Sequence, residues 1–342
     1  NGRLDADYAC IEVDEASTRH VFPHLQPDYM VMTNLFRDQL DRYGEIDITM
    51  NILEEMIRKV PKMKVIVNGD DALSAYLAMD CGNPYITYGI SKQVLKNDTN
   101  EIREGRFCKR CGERLQYSFY HYSQLGDYKC PGCGFTRPAL DYDATDVKVA
   151  DQLSFLVEGR KLVANYRGFY NVYNILAAYA GVRTAGYRAD HFQDMLNKFN
   201  PENGRMEQFR IRGCSVTLNL AKNPAGFNQN ISAVMQDTSP KDIIITINDN
   251  AQDGRDISWL WDVDFDRLMD PSVKSITVSG IRCQDMRLRL KYVDIPSMLE
   301  ADVEKAIRAR VEDGVSNLYV LVNYTALFST RNILKRMEGE KE

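Results

Sequence analysis

The chain has 342 residues, 44% of them hydrophobic and 27% charged, and its 43 basic and 48 acidic side chains leave a net charge of -5. That balance excludes a mainly disordered chain and a disulfide-stapled miniprotein. The longest apolar runs, such as Ile243–Ile247, are strand-length and fall far short of the roughly 20 residues a membrane helix needs. No basic field marks the chain as a general nucleic-acid binder.

In chain order, Tyr8–Val13 reads as a short buried strand running into the acidic cluster EVDEAS. Tyr29–Thr33 is a second strand, followed by a stretch that is helical in pattern from about Asp47. Lys64–Asn68 is a third, and NGDDALSAYLA behind it reads as a turn and a helix. Strands alternating with helices predict βαβ units and a parallel sheet. A stretch from about Lys92 to Tyr142 breaks this rhythm and reads as an insertion. SFLVEG and KLVANY then form a strand pair around EGRK, and Gly168–Gly186 is a helix rich in small residues. Turn-forming residues cluster at Asn200–Gly204, and beyond them the alternation restarts with strands at Ser215–Asn219, Asp242–Ile247, Ser275–Ser279 and Asn317–Val322. The expected organisation is α/β, with one domain over residues 1–201 interrupted by an insertion at about 104–140, and a second, Rossmann-like α/β domain over 202–342.

The insertion holds the sharpest motif. Cys108, Cys111, Cys130 and Cys133 form C-x2-C-x18-C-x2-C, a spacing expected of a zinc site. Glycine follows each pair, relieving the tight turn that lets backbone N–H groups point at thiolates. Four thiolates close a tetrahedral shell and leave no position for water, which implies structural zinc. Two disulfides, or four unrelated thiols, are the competing readings. The aromatic, alternating LQYSFYHYSQLGDYK between the pairs suits the small hairpins of a zinc ribbon. Cys10, Cys81, Cys214 and Cys283 are scattered and read as buried small apolar residues. None of the four histidines, His20, His24, His121 and His191, has a partner constellation.

Read together, several motifs resemble the Mur ligase superfamily, which activates a carboxylate with ATP and lets an amine attack the acyl phosphate. IEVDEAS followed by HLQPDYMVMTNLFRDQLDRYGE is similar to its central domain, with Asn34, Asp38, Asp41 and Gly44 in place and Gln39 where the family has histidine. GFYNVYNILAA resembles the helix whose asparagines meet the nucleotide, and Gly204–Phe209 resembles the G-R-x-E entry to the C-terminal domain. LNLAKNPAG resembles the D-Y-A-H-N-P-x-G turn, with Asn219 and Lys222 replacing the usual Asp and His. The cysteine ribbon and NDNAQDGRDISWLWDVDFD narrow the resemblance to the MurT family of synthetase subunits.

The resemblance implies a fold: a Mur ligase central domain with a mainly parallel sheet and a zinc-ribbon insertion, joined to a Rossmann-like C-terminal domain. It implies ATP with Mg, structural Zn, and amidation of the D-isoglutamate α-carboxylate in the lipid II stem peptide. The ammonia would come from a GatD-type glutaminase, at the cytoplasmic face of the membrane. It also implies a phosphate-binding G-x-x-G-K-T loop standing before Asn1, because no glycine in the chain is followed by lysine. Another Mur-type amino-acid ligase, or a scaffold that merely stimulates a glutaminase, are the rival readings.

By the family pattern Glu12 would bind magnesium, a hard cation that prefers oxygen ligands; a solvated carboxylate or a helix cap is the alternative. Asn174, and more weakly Asn171, would contact adenine, since an amide offers donor and acceptor together; helix capping competes. Arg205 would neutralise phosphate charge, against a role in a domain-linker salt bridge, and Lys222 would face nucleotide or substrate. Asp38 and Asp41 read equally as loop-ordering groups or as partners of Arg37 or Arg42. Asp253 and Asp256 flank the DGRD turn, and the resemblance implies that Asp256 completes the glutaminase's Cys–His pair in trans. The alternative there is a turn closed by an ion pair to Arg255. Trp259 and Trp261 read as interface or core anchors beside it.

Overall fold

A computed structural model describes residues 6–36, 46–95, 104–150, 152–165, 168–199 and 204–340. Its first half is built on a parallel sheet of β1 (Tyr29–Met32), β2 (Lys64–Asn68), β3 (Tyr85–Gly89) and the short β6 (Tyr142–Asp143), in the order β1-β2-β3-β6. Between β3 and β6 the chain makes an antiparallel hairpin of β4 (Gln116–Tyr122) and β5 (Leu125–Lys129). A second antiparallel sheet follows, β7 (Thr145–Val149), β8 (Leu153–Val157) and β9 (Arg160–Ala164).

Side-chain alternation along β2 decides which helix covers which face. Val65 and Val67 meet α2 (Ile46–Lys59) and α3 (Ala72–Asp80) through Leu53, Ile57 and Leu77. Ile66 meets α4 (Tyr170–Thr184), which is packed between this sheet and the antiparallel one through Val172, Leu176, Phe155 and Leu162. A four-residue turn of helix, α1 (Thr18–Val21), precedes β1, and α5 (Phe192–Lys198) follows α4.

The second half is a six-stranded sheet in the order β10-β11-β15-β12-β13-β14, where β10 (Glu207–Ile211) is antiparallel to β11 (Cys214–Leu220) and the other pairs are parallel. The parallel strands are β12 (Lys241–Thr246), β13 (Val273–Ser279), the two-residue β14 (Met298–Leu299) and β15 (Asn317–Val322). β12 is buried at every position, as expected of a strand covered on both faces. Ile243 and Ile245 face α6 (Pro224–Gln236) and α7 (Cys283–Lys291), whereas Ile244 faces α8 (Val303–Glu312) and α9 (Tyr324–Gly339).

The four strands expected in this half are present within two residues at each end. The strand expected at Tyr8–Val13 is not: that segment is irregular, with Tyr8 and Ile11 exposed at 62% and 54%. A strand needs a partner ladder and a buried face, and here Tyr8 packs edge-on against Tyr187 instead. Of the turn at Asn200–Gly204, residues 200–203 lie outside the described residues.

Candidate functional site

A cleft of about 610 Å³ lies between the two halves. Its walls come from Asn34 and Phe36 just past β1, from one stripe of α4, and from the segment that follows β11. Parallel strands present ligands beyond their carboxyl ends, and both β1 and β11 open onto the cleft at that end. The volume suits a small organic ligand, for which roughly 300–1,000 Å³ is usual.

On α4 the helical period separates two faces. Val172, Tyr173, Leu176 and Tyr179 are buried in the core, while Asn171, Asn174 and Ala178 form the stripe lining the cleft. Asn174 Nδ2 donates to Asn171 Oδ1 at 3.1 Å, which fixes the pair's orientation and leaves the Asn174 carbonyl to accept from a ligand.

The Gly204–Glu207 turn delivers Arg205 to the opposite wall. Gly204 and Met206 have φ of 70° and 57°, and a Cβ on Gly204 would overlap Leu327, so this turn requires glycine. The Leu220 N–H donates to Gly204 O at 2.7 Å, and the Met206 N–H donates to Asn219 Oδ1 at 3.2 Å. Asn219 is buried and also donates to Asn230 Oδ1 at 2.7 Å, so its work is to hold the turn. Glu207 accepts from Arg331 Nε at 2.8 and 2.9 Å. The turn is thus anchored by its neighbours, and exposed Arg205 projects at the cleft. Burial pushes the Tyr170 phenol up, and the Arg205 guanidinium pulls it the other way; Tyr170, Phe36 and Tyr122 form an aromatic floor lining the same cleft. Lys222 lines the cleft too, next to Asn223, whose side chain caps α6 by accepting the Gly226 N–H at 2.8 Å.

Asn34, Asn171, Asn174, Arg205 and Lys222 therefore meet in one cleft. Glu12 does not join them: it is exposed on the irregular N-terminal segment and lines no part of the cleft. Asp38, Gln39, Asp41 and Gly44 lie outside the described residues. Tyr122 and Phe199 line the cleft although no sequence motif pointed to them. Strict alternation would put Tyr122 on the same face of β4 as exposed Gln116 and Ser118, and the register shifts within the hairpin break that alternation.

The two aspartates of DGRD separate in role. Asp253 is buried and accepts from the Thr325 N–H at 2.8 Å and from the Thr325 hydroxyl, tying the loop after β12 to the first turn of α9. Asp256 is half-buried, accepts only the local Ser258 N–H at 2.8 Å among the described contacts, and lies apart from the cleft. Trp259 is in the core against Phe227, while Trp261 is 50% exposed and stacks edge-on against Tyr292 at 5.1 Å. Buried Arg289 of α7, which the sequence reading did not single out, donates to Leu260 O and Val263 O at 3.2 and 2.9 Å and holds this segment down.

The thiol sulfurs of Cys108, Cys111, Cys130 and Cys133 all lie within 4.8 Å of one another. The Cys108–Cys133 and Cys111–Cys130 separations are 3.6 and 3.4 Å, far beyond a disulfide bond. A tetrahedral ion with metal–sulfur bonds of about 2.3 Å sets such edges at about 3.8 Å, so the ligand set fits a metal. The Gly112 and Gly134 N–H groups donate to Cys108 O and Cys130 O at 2.8 and 3.1 Å, closing two matching knuckles. Of the other cysteines, Cys81, Cys214 and Cys283 are buried as expected, but Cys10 is exposed with the rest of its irregular segment. Burial pushes the His121 imidazole down to about 4, so it is neutral, with Nε2 at 3.2 Å from Ile90 O.

Comparison with known proteins identifies the family and the fold. Residues 2–182 match the Mur ligase middle domain family, and residues 220–327 match the MurT ligase C-terminal family. The chain is 37% identical to lipid II isoglutaminyl synthase (glutamine-hydrolyzing) subunit MurT of Staphylococcus aureus (strain COL), over 93% of this chain and 72% of that protein. It is 34% identical to the subunit of the same name from Streptococcus pneumoniae (strain ATCC BAA-255 / R6), over 98% of this chain and 76% of that protein. Among solved structures, a pseudomurein peptide ligase type C from Methanothermus fervidus shares the fold, with a TM-score of 0.70 at 22% identity, over 91% of this chain and 63% of that one. The chain thus spans just under two thirds of that solved ligase. With both halves matched and 37% identity sustained along 93% of its length, the chain belongs to the MurT family of Mur ligase homologues.

Proposed function

We propose that this chain is the ATP-driven synthetase subunit of a glutamine-hydrolysing ligase that converts the D-isoglutamate α-carboxylate of the lipid II stem peptide to D-isoglutamine. The observation that carries the reading is the meeting of Asn171, Asn174, Arg205 and Lys222 in one cleft between the two halves. A carboxylate is a poor electrophile, and phosphorylation gives it a leaving group that ammonia displaces. The amide pair on α4 is suited to an adenine edge, and the aromatic floor to its ring. Arg205 and Lys222 place fixed positive charge where phosphate charge develops, and need no reorganisation at the moment of transfer. Magnesium, if bound with the nucleotide, would supply further neutralisation of the phosphates.

The four-cysteine ribbon holds structural zinc, since its shell is complete without water. Ammonia comes from a GatD-type glutaminase, whose histidine Asp256 orients and stabilises as imidazolium. Delivering ammonia through protein keeps it unprotonated and keeps water from the acyl phosphate. No helix among the described residues is long and apolar enough to cross a membrane. Lipid II is met through its head group, at the cytoplasmic face. The test is the full protein with its glutaminase, lipid II, glutamine and ATP, following phosphate release and the mass of the stem peptide. No ATP consumption with lipid II present refutes the synthetase reading. Turnover with amino acids but not with glutamine or ammonia identifies a different Mur-type ligase.

A further inference from the structure

The cysteine ribbon is not peripheral to the cleft. Leu35 sits between Asn34 and Phe36, both of which line it, and the backbone of Leu35 is held on both sides by buried side chains. The Leu35 N–H donates to Asp71 Oδ2 at 2.8 Å, and Gln124 Nε2 donates to Leu35 O at 2.6 Å. Gln124 also donates to Asp71 Oδ1 at 3.0 Å, closing a triangle whose three members are all 1% exposed or less.

Asp71 is the N-cap of α3, accepting from the Leu73 N–H and from Ser74 Oγ, while Gln124 is in the turn between β4 and β5. The ribbon grips the far end of α3 as well, where Arg110, between Cys108 and Cys111, donates to Asp80 at 2.8–3.1 Å. The face of α3 between these grips, Ala72 and Ala75, packs in one apolar cluster with Cys108, Cys130, Tyr128 and Phe135. The thiol centre therefore rests on the back of the helix whose cap holds Leu35.

We infer that Gln124 is a positioning residue for the cleft, and that metal at the four cysteines sets nucleotide affinity by keeping Gln124 and Asp71 clamped on Leu35. The inference rests on the nucleotide reading of the cleft. An unclamped Leu35 carbonyl and amide would let Asn34 and Phe36 move, so binding weakens while the transfer groups, Arg205 and Lys222, stay where they are. Gln124→Met keeps the length and removes both donated bonds.

In the full protein, Gln124→Met should raise the dissociation constant for ADP and the KM for ATP about tenfold, as expected for buried hydrogen bonds, with kcat changed less than about twofold. Exchange of the Leu35 amide should speed up by a similar factor, and stripping the metal with a chelator should speed it up equally. Glu158→Ala, which breaks the ties to Arg183 and Tyr179 in the same half, serves as the structural control and should lower Tm without moving KM. Unchanged Leu35 exchange in Gln124→Met or in the chelated protein overturns the inference, as does faster exchange with unaltered ADP affinity. If Asn174→Ala and Arg205→Ala both leave ADP affinity intact, the nucleotide reading falls instead. The Leu35 exchange rates then still report separately on the clamp.

Discussion

Arg137 Nη1 lies 3.0 Å from Asp70 Oδ1, and that carboxylate has no solvent exposure at all. The arginine comes from the cysteine ribbon and the aspartate from the turn after β2, so the pair fastens the insertion to the parallel sheet. The Ile90 N–H and the Tyr173 hydroxyl complete the shell at 2.7 and 2.8 Å. Desolvation still dominates, pushing the Asp70 carboxyl from 3.8 to about 6 against the pull of Arg137.

The sign of the pH effect follows from that shift. Between pH 3.8 and about 6 the folded protein holds more protons at this site than the unfolded chain, so the contribution of Asp70 to stability falls as pH rises through the window and is flat above it. Arg137→Met leaves a buried charge unpaired at pH 8 and should cost about 3 kcal/mol there. At pH 5 the carboxyl is neutral and needs no cation, so the loss should be clearly smaller. Urea unfolding at the two pH values measures this. An equal loss at both would mean that Arg137 acts by packing alone.

Asp256 and Asp253 should respond differently to the same substitution. Asp256→Asn keeps the oxygen that accepts the Ser258 N–H, so Tm should hold, while glutamine-dependent amidation is lost and amidation with free ammonia survives. Asp253→Asn weakens the tie to Thr325 and should lower stability by about 1–2 kcal/mol. Parallel assays with glutamine and with ammonium salts separate them. Loss of both activities in Asp256→Asn would assign that residue to the fold.

At the cleft, Arg205→Ala should lower kcat/KM for ATP by roughly a hundredfold with the fold intact, because its turn is held by Asn219 and Glu207. Asn174→Ala should act mainly on KM, as expected of a ground-state contact. Steady-state kinetics with varied ATP distinguish the two. A pure KM effect in Arg205→Ala would remove that residue from phosphoryl transfer.

The cysteine centre should carry about one zinc per chain by elemental analysis. Cys111→Ser, at an exposed corner of the cluster, should lower metal content and Tm together. Because Cys108 and Cys130 are part of the apolar cluster under α3, metal loss should be felt in that helix and not only in the ribbon. Retained stability without metal would make the cluster incidental.

Much of the fold was legible in the order of residues, because burial patterns are local. Lys64–Asn68 and Asn317–Val322 form strands with the expected bounds, and the β8–β9 hairpin is present, although its turn is Glu158–Gly159 alone and Arg160 and Lys161 of the expected EGRK turn are paired in β9. The error at Tyr8–Val13 has the same root: alternation marks a segment that would pair if a ladder were beside it, and the ladder is not a local property.

The sequence by itself determined the cysteine spacing, the asparagines three apart on one helix, the Gly204 turn and the acidic loop, because each depends on chemistry carried within a few residues. Only the tertiary structure decided which of them act together. It brought Asn174 and Arg205 to one cleft from opposite halves, left Glu12 exposed elsewhere, and spent Asp253 on anchoring while half-buried Asp256 holds only the local Ser258 N–H among the described contacts. It also set Gln124 of the ribbon against Leu35, 89 residues away. Such pairings follow from strand order, helix packing and the burial of polar groups that must find partners, and no local pattern encodes which partner that is.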